Sequence, residues 1–292
     1  MQHLVNTELG NAVLLGDFEN GSAEWHELRN QAGVVGGSQV GAICGVSPWE
    51  SPLARFYKAT GQISDEVKPS MSMKLGTALE EPILSIFASE HPELDVYTVG
   101  TYASKDYEWA HANADGIFME ADGTMGIIEV KFSRDYWSDG LPLHYHYQVM
   151  YYLHIFGFQK AIVVALAGST YTEIVVEYDK FEAEAMFAQV IDFHNRVLEN
   201  RPPDFDGSSS TYEALRQLNP EINPDEKEEL GQLGIHLVNA YTDYQAAETH
   251  YKEMQSRTLE AMGTAKYGVV DDKILVYRSQ RGTGAPYLNW KK

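Results

Sequence analysis

Apolar positions change period along this chain, and each change marks an element. Over residues 73–90, Leu75, Leu79, Ile83, Ile86 and Phe87 keep helical spacing, the stripe of an amphipathic helix. Glu80 lies at the edge of that stripe and Glu81 outside it. Shorter helices are predicted over 24–30, with Trp25 and Leu28 on one face, from Ser38 onward, and over 52–60. Residues 144–156 form another, with Gln148 and Tyr152 four apart on one face. Residues 181–200 form the next, ended by Arg201-Pro202-Pro203. Strands are predicted over 97–102 and 171–178, and the unbroken apolar run 161–167 reads as a buried strand. Residues 62–72 and 135–143 are predicted loops, the second around Trp137.

The stretch HANADGIFMEADGTMGIIEVK, residues 111–131, predicts a β-hairpin: two apolar runs flank the Asp122-Gly123 turn. Strand alternation sets Glu129 and Lys131 on one face and Ile128 and Val130 on the other. Antiparallel pairing then brings Asp115, at the start of the first strand, beside Glu129. Two carboxylates and an ammonium converge on one patch. Carboxylate oxygens are the ligands that hard divalent cations select. A lysine beside such a cation orients a water or helps to deprotonate it. Phosphodiester hydrolysis needs a bound cation, an activated water and stabilisation of charge on the phosphorus oxygens. By itself, Glu-x-Lys on a strand is more often a solvated ion pair, so the other segments carry the decision.

After Pro203 the texture changes. DFDGSSS reads as a linker, and a long amphipathic helix is predicted from Asn223-Pro224-Asp225 to about Met262. Its apolar positions, Leu230, Leu233, Leu237, Ala240, Tyr244, Ala247, Tyr251 and Met254, recur at threes and fours, in one helix or a hairpin broken between Gly231 and Gly234. A terminal β-hairpin over 268–279 turns at Asp271-Asp272. The order of elements predicts an α/β core with a central mixed β-sheet flanked by helices over 1–205. Residues 206–292 form a C-terminal helical arm and β-hairpin.

Composition changes this picture in three places. No run of about 18 apolar residues exists, so no membrane span is expected. The first ten residues, MQHLVNTELG, lack the basic-then-apolar pattern of a signal peptide, and the one cysteine, Cys44, has no intrachain disulfide partner. A cytoplasmic protein is the expectation. A net charge of −20 argues against general affinity for nucleic acid, so DNA contacts must draw on locally placed members of the 22 Lys and Arg. The C-terminal end is such a place: residues 252–292 carry eight basic residues against four acidic ones, with Arg278, Arg281 and Lys291 among Tyr277, Tyr287 and Trp290. Ser38, after Gly36-Gly37, is placed as a helix N-cap, a position that also suits a phosphate. Trp49 is either a core anchor or a base-stacking face, and Cys44, in AICGV, reads as buried rather than nucleophilic.

Five stretches, in order, resemble the lambda-exonuclease and YqaJ-type viral recombinase family of the PD-(D/E)xK nuclease superfamily. They are GGSQVGAICGVSPWESPLARFYKATG, LGTALE, NADG, IIEVK and QVMYYL. The resemblance implies a PD-(D/E)xK core and a magnesium-dependent 5′-to-3′ exonuclease acting on double-stranded DNA ends, with manganese as a substitute. It would leave 3′ single strands for a separate single-strand annealing protein. It also implies a homo-oligomeric ring, commonly a trimer, in the cytoplasm of a bacterial host. Carried over by position, Asp115, Glu129 and the Val130 carbonyl bind the metal, with Glu80 helping directly or through water. Lys131 positions the attacking water, Gln148 lies beside the site and Tyr152 supports it. Arg29 and Ser38 would hold the terminal 5′ phosphate. The alternatives are an endonuclease of the same superfamily and a non-catalytic scaffold that binds DNA ends. The intact set of Glu80, Asp115, Glu129 and Lys131 speaks against the scaffold.

Overall fold

The computed structural model describes residues 2–18, 22–65, 68–134 and 136–291, in two compact units, Met1–Glu221 and Ile222–Lys292. Residues 66, 67 and 135 of the expected loops, and Lys292 of the C-terminal charge cluster, lie outside the described residues. The first unit opens with β1 (Gln2–Leu4), β2 (Glu8–Leu9), β3 (Ala12–Gly16), α1 (Ala23–Arg29), β4 (Val35–Gly36), α2 (Gly37–Ile43) and α3 (Pro52–Ala59). It continues with α4 (Met71–Glu90), β5 (Asp95–Val99), β6 (Thr101–Ser104), β7 (Ala110–Ala112), β8 (Gly116–Met119), β9 (Met125–Ser133) and α5 (Leu143–Phe156). It ends with β10 (Lys160–Ala167), β11 (Thr170–Glu177), α6 (Lys180–Leu198) and α7 (Ser209–Leu218). The second unit holds α8 (Gly231–Met262), β12 (Tyr267–Val270), β13 (Lys273–Ser279) and β14 (Tyr287–Trp290).

Six strands form a mixed sheet in the order β1-β5-β8-β9-β10-β11, parallel at β1/β5 and β9/β10 and antiparallel elsewhere. Its central strands, β8, β9 and β10, are largely buried on both faces, which is why they are rich in apolar residues. Phe118, Ile128, Val130, Ile162 and Val164 pack with Ile83, Leu84 and Phe87 of α4. Their neighbours in sequence, Ile117, Ile127, Ala161 and Val163, point the other way, into a larger cluster with residues of α2, α5 and α6. A second sheet of five strands runs β2-β3-β6-β7-β4. Gly126 is required where β9 is most crowded. A Cβ there would lie 2.2 Å from the Phe118 ring and 2.5 Å from the Lys160 carbonyl.

Several features differ from the sequence reading. The single strand expected over 97–102 is two strands in two sheets, β5 and β6, separated at Gly100. Gly100 passes so close to the Gly16 carbonyl that a Cβ would sit 2.5 Å from it. In α4, Leu75 is 42% exposed because only the C-terminal half of the helix lies on the sheet, and there Leu84 rather than Ile86, 48% exposed, joins Ile83 and Phe87 on the contact face. The end of the expected linker, Ser209 and Ser210, and the unassigned residues 211–218 form α7, capped by Ser208, and Ala214 packs on Ala54 and Ile63. Ser51 ties it down further: its hydroxyl pairs with that of Thr211 at 2.7 Å and its N–H donates to the Ser210 hydroxyl at 2.8 Å. The compact amino-terminal unit therefore extends to Glu221, past the boundary drawn at 205. The long helix is unbroken but begins at Gly231, not near Asn223, and β14 adds a third strand to the terminal hairpin. The turn at Asp271 and Asp272 is as read, both residues adopting positive φ (48° and 62°) as a tight hairpin needs.

Candidate active site

Hairpin register assembles the site. Gly116 pairs with Ile128, so Asp115 and Glu129 lie one residue beyond that pair on adjoining strands. Ile128 and Val130 are committed to the α4 side, which turns Glu129 toward α5. Glu129 is 2% exposed. Its Oε1 accepts from Lys131 Nζ and from Gln148 Nε2, each at 2.6 Å. Gln148 Nε2 also lies 3.3 Å from the Tyr152 hydroxyl. The Val130 N–H donates to Asp115 Oδ2 at 2.6 Å, fixing the second carboxyl against the same strand. Glu80 sits one helical turn before Ile83 and Leu84 and so follows their face beyond the buried stretch, where it shares a hydrogen bond with Asp115. The residues that the sequence singled out from three separate segments thus meet.

This patch is short of positive charge. Burial, then the Asp115 carboxyl, pushes Glu129 up to about 8. Burial, then Glu80, pushes Asp115 up to about 7, and burial with Glu129 raises Glu80. Burial works against the Lys131 ammonium, but Glu129 and Asp115 outweigh it and raise its pKa. Glu129 Oε2 is buried with no hydrogen-bond partner among the described residues, an atom that normally costs about 1–3 kcal/mol to leave unsatisfied. Among the described residues, no three His, Cys, Asp or Glu side chains close into a ready metal cage. Lys131 and the Val130 amide hold the oxygens instead. The donor set itself, carboxylates with one orphaned oxygen, fits a hard divalent cation.

Around Lys131 lie aromatic side chains that the sequence reading did not place in the site. Its Nζ stands 4.9 Å from the Tyr145 ring centre. Tyr145 packs on Trp137 at 5.5 Å and on His144 at 4.0 Å, and His144 meets Trp49 edge-on at 4.6 Å. Tyr145 precedes Gln148 by three residues, so helix periodicity from Gln148 points to it. Trp49 is 66% exposed, so it is not a core anchor. Cys44 is half-buried, and burial pushes its thiol up to about 12, which makes it a poor nucleophile.

Arg29 and Ser38 also meet. Arg29 Nη2 donates to Ser38 Oγ at 2.9 Å, and the guanidinium lies 4.2 Å from the Trp25 ring centre. Ser38 is not the N-cap of α2. Gly36 holds that position, its N–H donating to Gln39 Oε1 at 3.1 Å, which leaves the Ser38 hydroxyl for Arg29. Gly37 lets α2 begin against Tyr152, since a Cβ there would stand 2.2 Å from the ring. Tyr152 faces Gln148 on its other side. One tyrosine therefore separates the Arg29–Ser38 pair from the Glu129 group.

Residues 24–159 match the family described as the YqaJ-like viral recombinase domain, a span that contains every residue named above as meeting at the site. Over 271 residues the chain is 25% identical to the uncharacterized protein YqaJ of Bacillus subtilis (strain 168), covering 88% of this chain and 83% of that one. Its fold is similar to the crystal structure of an alkaline exonuclease, LHK-Exo, from Laribacter hongkongensis. The TM-score is 0.52 at 19% identity, over 62% of this chain and 94% of that one. LHK-Exo in complex with dAMP matches with the same TM-score and identity. The architecture is the mixed α/β fold of the PD-(D/E)xK nucleases. The segment that builds the site is thus the part of the chain that resembles the YqaJ-like viral recombinase domain.

Proposed function

We propose that this protein is a divalent-metal-dependent DNA exonuclease that digests one strand of linear duplex DNA from its 5′ end. The observation that carries the reading is the buried meeting of Glu80, Asp115, Glu129 and Lys131, with Glu129 Oε2 unsatisfied. Asp115, Glu129 and the Val130 carbonyl would hold the cation, with Glu80 contributing, and magnesium is the ion expected, manganese the substitute. When bound, the cation supplies charge stabilisation at the phosphorus oxygens and acidifies water. Lys131, held as an ammonium by Glu129 and Asp115, positions the attacking water. Gln148 holds Glu129 in place, and Tyr152 holds Gln148. Arg29 and Ser38 receive the terminal 5′ phosphate, so the strand's end is located relative to the scissile bond. The fold shared with an exonuclease that has been crystallised with dAMP, a mononucleotide of the kind such enzymes release, supports the same reading. A 3′ single strand left behind would be passed to an annealing protein, and a ring of copies, commonly three, in a bacterial cytoplasm would keep the acidic exterior off the DNA.

The deciding assay compares end-labelled linear duplex with closed circular duplex, with magnesium or with EDTA. Loss of label from linear DNA only, and only with magnesium, is expected. Cleavage of the circle would make the protein an endonuclease, and binding of ends without cleavage would make it a scaffold.

Magnesium should also stabilise the fold in the absence of DNA. A ligand at about a hundredfold over its Kd adds about 2.7 kcal/mol, which raises a domain of this size by several degrees. Scanning calorimetry of wild type and Glu129→Gln, each with magnesium and with EDTA, checks this. The shift is expected in wild type and absent in Glu129→Gln.

The basic end of the chain is proposed to contact DNA. Arg278 is not free to do so, because its Nη1 donates to the Gly263 carbonyl and ties β13 to the end of α8. Arg281, whose Nε donates to the Tyr287 hydroxyl at 3.1 Å, and Lys291 are more exposed. Arg281→Ala with Lys291→Ala is expected to weaken DNA binding and to lower the slope of log affinity against log salt by about two, with the thermal midpoint unchanged. Wild-type affinity and slope in that variant would remove the hairpin from the DNA interface.

A further inference from the structure

Helix α8 carries an apolar seam with no partner. None of its 32 residues is buried, and Leu233, Leu237 and Tyr244 are 67%, 63% and 61% exposed. A helix laid on a globular core has a stripe of period 3.6, with apolar residues three to four per two turns. Here the spacing alternates strictly between three and four from Leu230 to Met254. Leu230, Leu237, Tyr244 and Tyr251 occupy one heptad position, and Leu233, Ala240, Ala247 and Met254 the other. A 3.5-residue repeat held over three heptads is the pattern of a helix that pairs with a helix.

The terminal strands cover only the far end of this seam. Trp290 Nε1 donates to the Tyr251 hydroxyl at 2.8 Å, and Met262 packs by Gly268. Exposure falls accordingly to 42% at Tyr251 and 36% at Met254. The seam from Leu230 to Ala247 stays open.

Residue size along the seam selects the occupant. In a parallel pair of identical helices each position meets itself, which stacks Tyr244 on tyrosine and Ala240 on alanine. The first layer is overfilled and the second leaves a void, and both are costly. In an antiparallel pair the two heptad positions meet each other. Tyr244 then faces the partner's Ala240 and Leu237 faces the partner's Ala247, both layers lying inside the open part of the seam. Large meets small in the central layers, with no sequence needed other than this one. We propose that α8 pairs with α8 of a second copy of this chain as an antiparallel coiled coil centred on Thr242. At that centre Asp243 faces the partner's Asp243 across the edge of the seam, a like-charge contact that weakens the pair at low salt. Tyr241 faces the partner's Tyr241 across the other edge. The pairing does not rest on the nuclease reading.

The test measures the mass of the full-length protein by sedimentation, over a range of concentrations. Leu237→Asp with Tyr244→Asp is expected to halve the mass of the assembly, whatever number of copies the amino-terminal unit gathers. Both residues are exposed in the single chain, so circular dichroism and the thermal midpoint should stay at wild-type values. Asp243→Asn is expected to tighten self-association about twofold. Tyr241→Cys, in a Cys44→Ser background, is expected to give a covalent dimer with a short thiol cross-linker. An unchanged mass in the double variant overturns the pairing and leaves the seam to another protein's helix or to none. A halved mass without a cross-link at position 241 overturns the antiparallel centre.

Discussion

Lys131→Ala is expected to fold and yet to digest linear duplex several orders of magnitude more slowly than wild type, and Glu129→Ala is expected to do the same. The two residues share one strand face and one hydrogen bond of 2.6 Å, but they do different work. Lys131 is asked to position and polarise the water, Glu129 to hold the cation. Removing Lys131 leaves a buried carboxyl without its ammonium. Glu129 is already pushed up to about 8, so it can take a proton rather than remain as an unpaired charge. That is why the fold should survive. Glu129→Gln keeps the shape of the side chain and separates the loss of charge from the loss of packing. Circular dichroism and the thermal midpoint report the fold, and single-turnover digestion reports the chemistry. Near-wild-type digestion by folded Lys131→Ala would overturn the assignment.

The second large effect is expected at the strand's end. Arg29→Ala and Ser38→Ala should each lower the preference for 5′-phosphorylated over 5′-hydroxyl duplex, Arg29→Ala the more strongly. A guanidinium carries the charge that complements a phosphate dianion, while a hydroxyl contributes a hydrogen bond. A charge-assisted hydrogen bond is worth about 1.5–3 kcal/mol, which corresponds to roughly tenfold to a hundredfold in the ratio of the two rates for Arg29→Ala. Digestion of the two substrates by wild type and variants gives that ratio directly. Because Tyr152 lies between this pair and Glu129, Arg29→Ala is also a control on position: its rate on hydroxyl ends should stay near that of wild type. An unchanged ratio would reduce Arg29 and Ser38 to a structural contact.

Much of the site was legible before any coordinates. Asp115, Glu129 and Lys131 follow from two facts: a two-residue repeat along a strand and a Gly-containing turn between two apolar runs. Four-residue spacing puts Gln148 and Tyr152 on one helix face, and Tyr145, three residues before Gln148, shares it; that this face belongs to the site came only from the family resemblance. Glu80 stood at the edge of an apolar stripe, and its part in the site came from the resemblance. The strand and helix spacings are local rules, and local rules survive folding when the pattern is strong. Trp49 was not decidable that way, since an aromatic after a turn packs inward or outward according to what lies beside it, and here His144 comes from a helix far along the chain.

By itself, the sequence determined the mixed α/β class, the order of the central strands and helices, the hairpin with its paired carboxyl and ammonium, and the heptad seam of α8. All of these rest on periodicity and turn chemistry over short spans. Only the tertiary structure decided where local patterns end or compete. Residues 97–102 change sheets at Gly100, because the chain must pass the Gly16 carbonyl at a distance that no Cβ allows. Residues 209–218 are a helix of the core because Ala54 and Ile63 offer them a surface, and a Ser-rich stretch shows nothing of that surface. Ser38 is freed from capping because the backbone of Gly36 takes that place, leaving its hydroxyl for a guanidinium nine residues away. The charge shortage at Glu129 belongs to tertiary structure as well: burial and three carboxyls drawn from separate segments create it, and no one segment carries it alone.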